Sequence, residues 1–142
     1  MGNLSDHFNH KDFACRCPEC KGEYRVHLGL VGALEQIGGH FRKKVRIVSA
    51  YWCDAYYEKK INKTKRSSHT KGKAAHIKID GVLTQDLFKY CETIPELRGM
   101  VFYPNADYIH IDTRTADEPV RLVKEGSDYL PLTAEKRSKY GL

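Results

Sequence analysis

His69, His76 and His110 are the residues of this chain whose type and placement most directly permit chemistry. Six residues, Gly72 among them, separate His69 from His76. Neutral imidazole is a good ligand for zinc and other transition metals. The alternation Ala75-His76-Ile77-Lys78-Ile79-Asp80 predicts a strand with Ala75, Ile77 and Ile79 on one face and His76 on the other. In Tyr108-Ile109-His110-Ile111-Asp112, His110 is likewise out of phase with Ile109 and Ile111. Each histidine taken alone is more simply a surface or core side chain. Two imidazoles on the same kind of face, with a third at the mouth of a loop, can instead converge on a metal, and a catalytic zinc takes three protein ligands and keeps its fourth position for water. Asp107, at the exit of the turn before His110, is a candidate general base, because hydrolysis at zinc needs a carboxylate to take a proton from water. The same residue equally suits a turn cap in Pro104-Asn105-Ala106-Asp107. Asp112 is in phase with His110 and is placed to orient an imidazole N–H.

Those side chains need elements to hold them. Apolar residues at Val26, Leu30, Leu34, Ile37 and Phe41 predict a helix with one buried stripe, weakened at Gly38-Gly39. Val45 to Tyr51 reads as a strand. A short helix around 54–61 and an exposed basic loop are expected next, then the strand of His76. Thr84 is the expected N-cap of a second helix in which Leu87, Phe88 and Cys91 share a face. Met100–Tyr103 and Tyr108–Asp112 predict two strands joined at Pro104-Asn105-Ala106. Past Arg114 the chain is mostly polar and shows no core stripe. The order predicts an α+β fold, a small mixed or antiparallel sheet flanked by helices. A length of 142 residues suits one domain, with 1–24 as a loop-rich N-terminal lobe carrying cysteines and 115–142 as a polar C-terminal extension.

The blocks around the histidines carry a family resemblance. Ser67-Ser68-His69-Thr70-Lys71-Gly72-Lys73-Ala74-Ala75-His76 resembles the Ser-x-His-x-x-Gly-x-Ala-x-Asp signature of the zinc D-Ala-D-Ala carboxypeptidase and endopeptidase family. Tyr108-Ile109-His110-Ile111-Asp112-Thr113-Arg114 is similar to the later His-Val-Asp-Thr-Arg block of its carboxypeptidase branch. Leu4-Ser5-Asp6-His7-Phe8 with Phe13-Ala14-Cys15-Arg16-Cys17, and Ser49-Ala50-Tyr51, also resemble blocks of that family, so the similarity runs in order from about residue 4 to 114. It implies the Hedgehog/DD-peptidase fold, a Zn2+ cofactor held by His69, His76 and His110, and Asp107 as general base. Asp112, Arg114 and Ser67 are implied as supports around the metal, and Tyr51, Trp52 and Lys71 as substrate contacts. Two departures stand out. His76 occupies the position of a ligand aspartate, which leaves a bound zinc at +2 rather than +1. Trp52 occupies the position of an arginine, and one indole donor cannot replace a bidentate guanidinium. Lysines at 59, 60 and 63 offer positive charge from another place; a changed substrate or a loss of catalysis are the alternatives.

Five cysteines, an odd number, cannot all pair within the chain. Cys15, Cys17 and Cys20 are close enough for a structural zinc completed by Cys53, His7, His10 or His27. A disulfide and free thiols are the other readings, and Cys91 is expected in the core. With 24 Lys+Arg against 18 Asp+Glu the net charge is +6 and the pI about 9.0. Lys59, Lys60, Lys63, Lys65, Arg66, Lys71 and Lys73 concentrate that charge beside the histidines. Tyr51, Trp52, Tyr56 and Tyr57 precede the run, the composition of a single-strand binder, but no nucleic-acid motif accompanies it and nucleic acid is not the expected partner. A peptidoglycan stem peptide or related anionic peptide is expected instead, met by a monomer. Hydrophobic residues make up 41% and charged residues 30%, which excludes a disordered or fibrous chain. No apolar run reaches the roughly 18 residues of a membrane span. The first seven residues lack a signal-peptide core, so cytoplasmic synthesis is expected, with release or phage-borne delivery as routes to a wall. Zinc-dependent hydrolysis of a peptide bond in bacterial cell-wall peptides, of D,D-carboxypeptidase or endopeptidase type, is the function these features imply. A non-catalytic metal- or peptidoglycan-binding module is the alternative.

Overall fold

The computed structural model describes residues 2–18, 20–53, 56 and 68–142. The N-terminal lobe is loop-rich, but it is not peripheral to the core. A single 3-10 turn, His10–Phe13, is closed by reciprocal bonds between Asn9 and Asp12. It buries Phe13 completely, and Phe8 packs 6.0 Å away, so the polar lobe drives two aromatic rings into the main core. Helix α1, Leu28–Phe41, buries Leu30, Val31, Ala33, Leu34 and Ile37 on one stripe. It does not stop at Gly38-Gly39 but runs on to a left-handed C-cap at Arg42. A Cβ on Gly38 would lie 3.4 Å from the Lys43 carbonyl oxygen, an ordinary van der Waals contact, so neither space nor conformation stops the helix there.

Strand β1 spans Arg46–Ser49 and β2 Ala74–Lys78. Helix α2, Thr84–Cys91, buries Leu87, Phe88 and Cys91 together; its N-cap is Leu83, and Thr84 is its first helical residue. Strands β3, Gly99–Phe102, and β4, Ile109–Asp112, form the expected hairpin, whose turn is closed by the Ala106 N–H donating to the Tyr103 carbonyl at 3.2 Å. The expected helix around 54–61 and the basic residues Lys59, Lys60, Lys63, Lys65 and Arg66 lie outside the described residues, apart from Tyr56.

The largest difference from the sequence reading lies beyond Arg114. Residues 120–131 form a second hairpin, β5 (Val120–Glu125) and β6 (Asp128–Pro131), and α3 (Ala134–Tyr140) follows. This segment is therefore part of the sheet and not a polar extension. Its strands carry no apolar alternation because only Val123 and Leu132 are buried there; backbone ladders and ion pairs hold the rest. Glu92 receives Arg121 Nε at 3.2 Å and Arg137 Nη2 at 2.6 Å, tying α2 to β5 and α3. Glu92→Ala would leave both guanidiniums unpaired and is expected to cost about 1–3 kcal/mol, read by urea unfolding.

The molecule is α+β, with six strands in the order β1-β2-β4-β3-β5-β6, all antiparallel except β3 with β5. One face carries Ala75, Ile77, Met100, Phe102, Ile109, Ile111 and Val123 into the main apolar core, together with buried residues of α1 and α2. The other face carries the chemistry. Register places His76 directly opposite His110, His110 opposite Val101, and Val101 opposite Leu122. Among the described residues no helix is long and apolar enough to cross a membrane.

Candidate metal centre

Cross-strand pairing alone brings His76 and His110 together, since directly opposed side chains on one face lie about 4.5–5.5 Å apart at Cβ. The third imidazole arrives by a tight turn. His69 sits in the 3-10 turn Ser68–Lys71, which Gly72 converts into β2 with φ +72°. A Cβ at Gly72 would stand 2.7 Å from the Arg25 carbonyl carbon and 2.8 Å from its oxygen, so the residue must be glycine for conformation and for space. Gly72→Ala is expected to cost about 2–5 kcal/mol and to lower zinc content, because the strain displaces His69. Thermal unfolding and metal analysis check both parts.

The ligating atoms of His69, His76 and His110 all lie within 4.8 Å of one another. His69 Nδ1 lies 2.5 Å from the Ala50 carbonyl, to which it donates, leaving Nε2 with its lone pair. That Nε2 is 3.3 Å from Nε2 of His76. A tetrahedral zinc holds nitrogens at about 2.0–2.1 Å, which sets neighbouring ligand atoms about 3.3–3.4 Å apart. Spacing and donor type both fit the metal. His110 donates from Nε2 to Asp112 Oδ2 at 2.7 Å, which directs its Nδ1 to the shared centre.

The electrostatics keep His69 and His76 neutral. Burial, then His110 and His76, holds His69 well below the ordinary histidine range. Burial, then His110 and Lys124, lowers His76 to about 3. Neutral imidazole is the ligating form. Asp112 is fully buried, and Arg114 grips it from Nε at 2.8 Å and Nη2 at 2.7 Å. A negative charge that none of the three histidines carries is thus held two residues along β4, bonded to His110, and is itself balanced by Arg114.

The other candidate residues divide. Trp52 stacks on His69 with centroids 3.8 Å apart and planes at 17°, forming a wall of the site. Tyr51 turns away: its N–H donates to the Phe13 carbonyl and its hydroxyl to Glu23 Oε2 at 2.6 Å. Lys71 is exposed on the turn two residues past His69. Ser67 lies outside the described residues. Asp107 is largely exposed, with Oδ2 3.0 Å from Lys78 Nζ. The four sulfurs of Cys15, Cys17, Cys20 and Cys53 form a separate cluster.

Four side chains beside the histidines were not identified from sequence. Tyr108 stacks on His76 at 5.1 Å and 16°, and Tyr103 lies 5.6 Å from His76. Lys78 follows His76 by two residues on β2, and Lys124 pairs across from Tyr129 on β5 and β6. Strand phase alone points to Tyr108 and Lys78. Tyr103 and Lys124 become visible only once β3 is paired with β4 and β5.

A family model described as Peptidase M15 matches residues 6–112, a span that contains both the histidine and the cysteine clusters. No curated protein and no solved structure matches the chain.

Proposed function

Because the chain belongs to the peptidase M15 family, whose members are zinc peptidases, we propose that it hydrolyses a peptide bond in bacterial cell-wall peptides, as a D,D-carboxypeptidase or endopeptidase. The observation that carries this reading is the convergence of His69, His76 and His110 within 4.8 Å, with the Nε2 atoms of His69 and His76 at 3.3 Å, the spacing of tetrahedral zinc ligands. Zn2+, when bound there, supplies Lewis acidity that polarises the scissile carbonyl and acidifies water. Asp107 takes the proton of the attacking water and returns it to the departing amine. Lys78, 3.0 Å away, holds that carboxylate in place. Asp112 fixes the ring of His110.

Substrate recognition has to proceed without the family's arginine. Trp52 supplies an apolar plane beside His69 in its place. Tyr103, Tyr108 and Tyr129 continue the floor, with centroids 5.1 and 6.5 Å apart along the row. Lys124 stands over Tyr129 at 5.2 Å and places a cation at the far edge of the floor. An acidic stem peptide fits a floor of aromatic rings edged by Lys78 and Lys124. The test is release of D-alanine or cleaved stem peptides from purified peptidoglycan by the zinc-loaded protein. Release should stop on chelation and return with zinc; no release at full zinc occupancy overturns the hydrolase.

A second reading, a module that holds wall peptide without cutting it, is favoured by Trp52 in the arginine position and by the exposure of Asp107. It predicts sedimentation with peptidoglycan and no released product.

A further inference from the structure

The cysteine cluster lies outside the histidine centre and has its own geometry. Cys17 Sγ is 3.5 Å from Cys20 Sγ and 3.5 Å from Cys53 Sγ, and all four sulfurs lie within 4.8 Å of one another. Among the described residues no disulfide links any of the five cysteines. Four thiolates about 2.3 Å from a tetrahedral zinc would stand about 3.8 Å apart. The observed separations are those of ligands around a shared ion, well beyond the roughly 2.05 Å of a sulfur–sulfur bond.

The backbone is shaped for the same purpose. After Cys17-Pro18-Glu19-Cys20 the chain adopts left-handed conformations at Lys21 (φ 54°) and Gly22 (φ 82°). Nothing lies within 4 Å of a Cβ at Gly22, so that glycine serves conformation and not packing. The reversal returns Glu23, whose carbonyl accepts from the Cys15 N–H at 2.8 Å, and brings three sulfurs to one side. Backbone N–H groups then point at sulfur: Cys53 N–H at Cys15 Sγ and Tyr56 N–H at Cys53 Sγ, each 3.4 Å. Such donors suit sulfur carrying negative charge.

We propose that Cys15, Cys17, Cys20 and Cys53 form a second, closed metal site for zinc, which clamps the N-terminal lobe onto the segment that carries Trp52. Three ligands come from the lobe and the fourth follows Trp52 directly in sequence. The site is structural, because four protein thiolates fill a tetrahedral zinc and leave no position for substrate. Its effect reaches the histidine centre through one residue: with Cys53 fixed, Trp52 is held 3.8 Å over the His69 ring. The proposal does not rest on the hydrolase reading, since a binding module would need the same clamp.

Metal analysis of the purified protein, its His110→Ala variant and its Cys20→Ser variant tests it. Two zinc ions per chain are expected in the parent and one in each variant. Because Cys20→Ser can fail to fold, the decisive sample is His110→Ala loaded with Co2+, which should show the near-ultraviolet sulfur-to-cobalt charge-transfer absorption of a four-thiolate site. Trp52 is the chain's one tryptophan, so its emission should shift when the remaining metal is stripped from that variant. A His110→Ala protein without metal or the sulfur–cobalt band, a disulfide among these cysteines in the native protein, or Trp52 emission indifferent to stripping would each overturn the proposal.

Discussion

Replacing Asp107 with asparagine is expected to lower kcat for stem-peptide hydrolysis about 10²–10⁴-fold, the range over which a positioned general base acts. KM and zinc content should hardly move. The separation is clean because Asp107 contributes so little to the fold. Its side chain is 74% exposed, and its partner is Lys78 at 3.0 Å. An exposed pair of this kind is worth roughly 0–1 kcal/mol, so the variant keeps its melting temperature. Asparagine preserves the shape of the side chain and removes only its ability to accept a proton at neutral pH. Lys78→Met should have a smaller effect of the same sign, since it removes the group that holds the carboxylate and not the base itself. An unchanged kcat in Asp107→Asn would refute the assignment of the base while leaving the metal site standing. Failure of both parent and variant to cut, with equal affinity for peptidoglycan, would select the binding module.

The sequence carried the centre of the fold well because its signals there are local. Ala75-His76-Ile77 and Ile109-His110-Ile111 alternate, and each isoleucine is fully buried while the histidines take the opposite face. Helix α2 was legible for the same reason, as Leu87, Phe88 and Cys91 have one-turn spacing. The hairpin of β5 and β6 was not legible, because Val123 is the one fully buried side chain along its strands and long-range ion pairs replace an apolar stripe. Ion pairs between distant segments leave no period in a sequence. The ring of aromatics was hidden similarly: Tyr103 and Tyr129 meet only through pairing of β3 with β5 and β5 with β6. The completion of the cysteine cluster by Cys53, among four possible partners, also needed the fold, since Cys53 lies 33 positions beyond Cys20.

Asp112→Ala should be the most damaging single substitution in the sheet, costing about 3–5 kcal/mol, because it removes one partner of a buried charge network. The carboxylate has no exposed surface and accepts from His110, from Arg114 Nε and Nη2, and from the Arg114 backbone N–H at 3.1 Å. Burial by itself would raise its pKa, but the Arg114 hydrogen bonds and those of His110 more than offset burial and hold it below the usual carboxylate range. The folded pKa therefore lies below the unfolded value of about 3.9. This contribution is present above that pH and is lost as acid protonates the folded group, so the parent should lose stability below about pH 4 and Asp112→Ala should not show that step. Zinc affinity should also fall about 10–100-fold as His110 loses its orienting acceptor. Gly99 supplies an independent test of the same network. A Cβ there would lie 2.2 Å from Asp112 Oδ1 and 2.3 Å from Arg114 Nε, in a strand whose residues are all buried. Gly99→Ala should consequently break the Asp112–Arg114 pair by intrusion and destabilise by several kcal/mol. Adding it to Asp112→Ala should cost much less than the sum, because the carboxylate its methyl would strike is gone and no longer holds the Arg114 side chain in its path. Urea unfolding of the four proteins closes the cycle, and additivity within about 0.5 kcal/mol would show that Gly99 and Asp112 act separately.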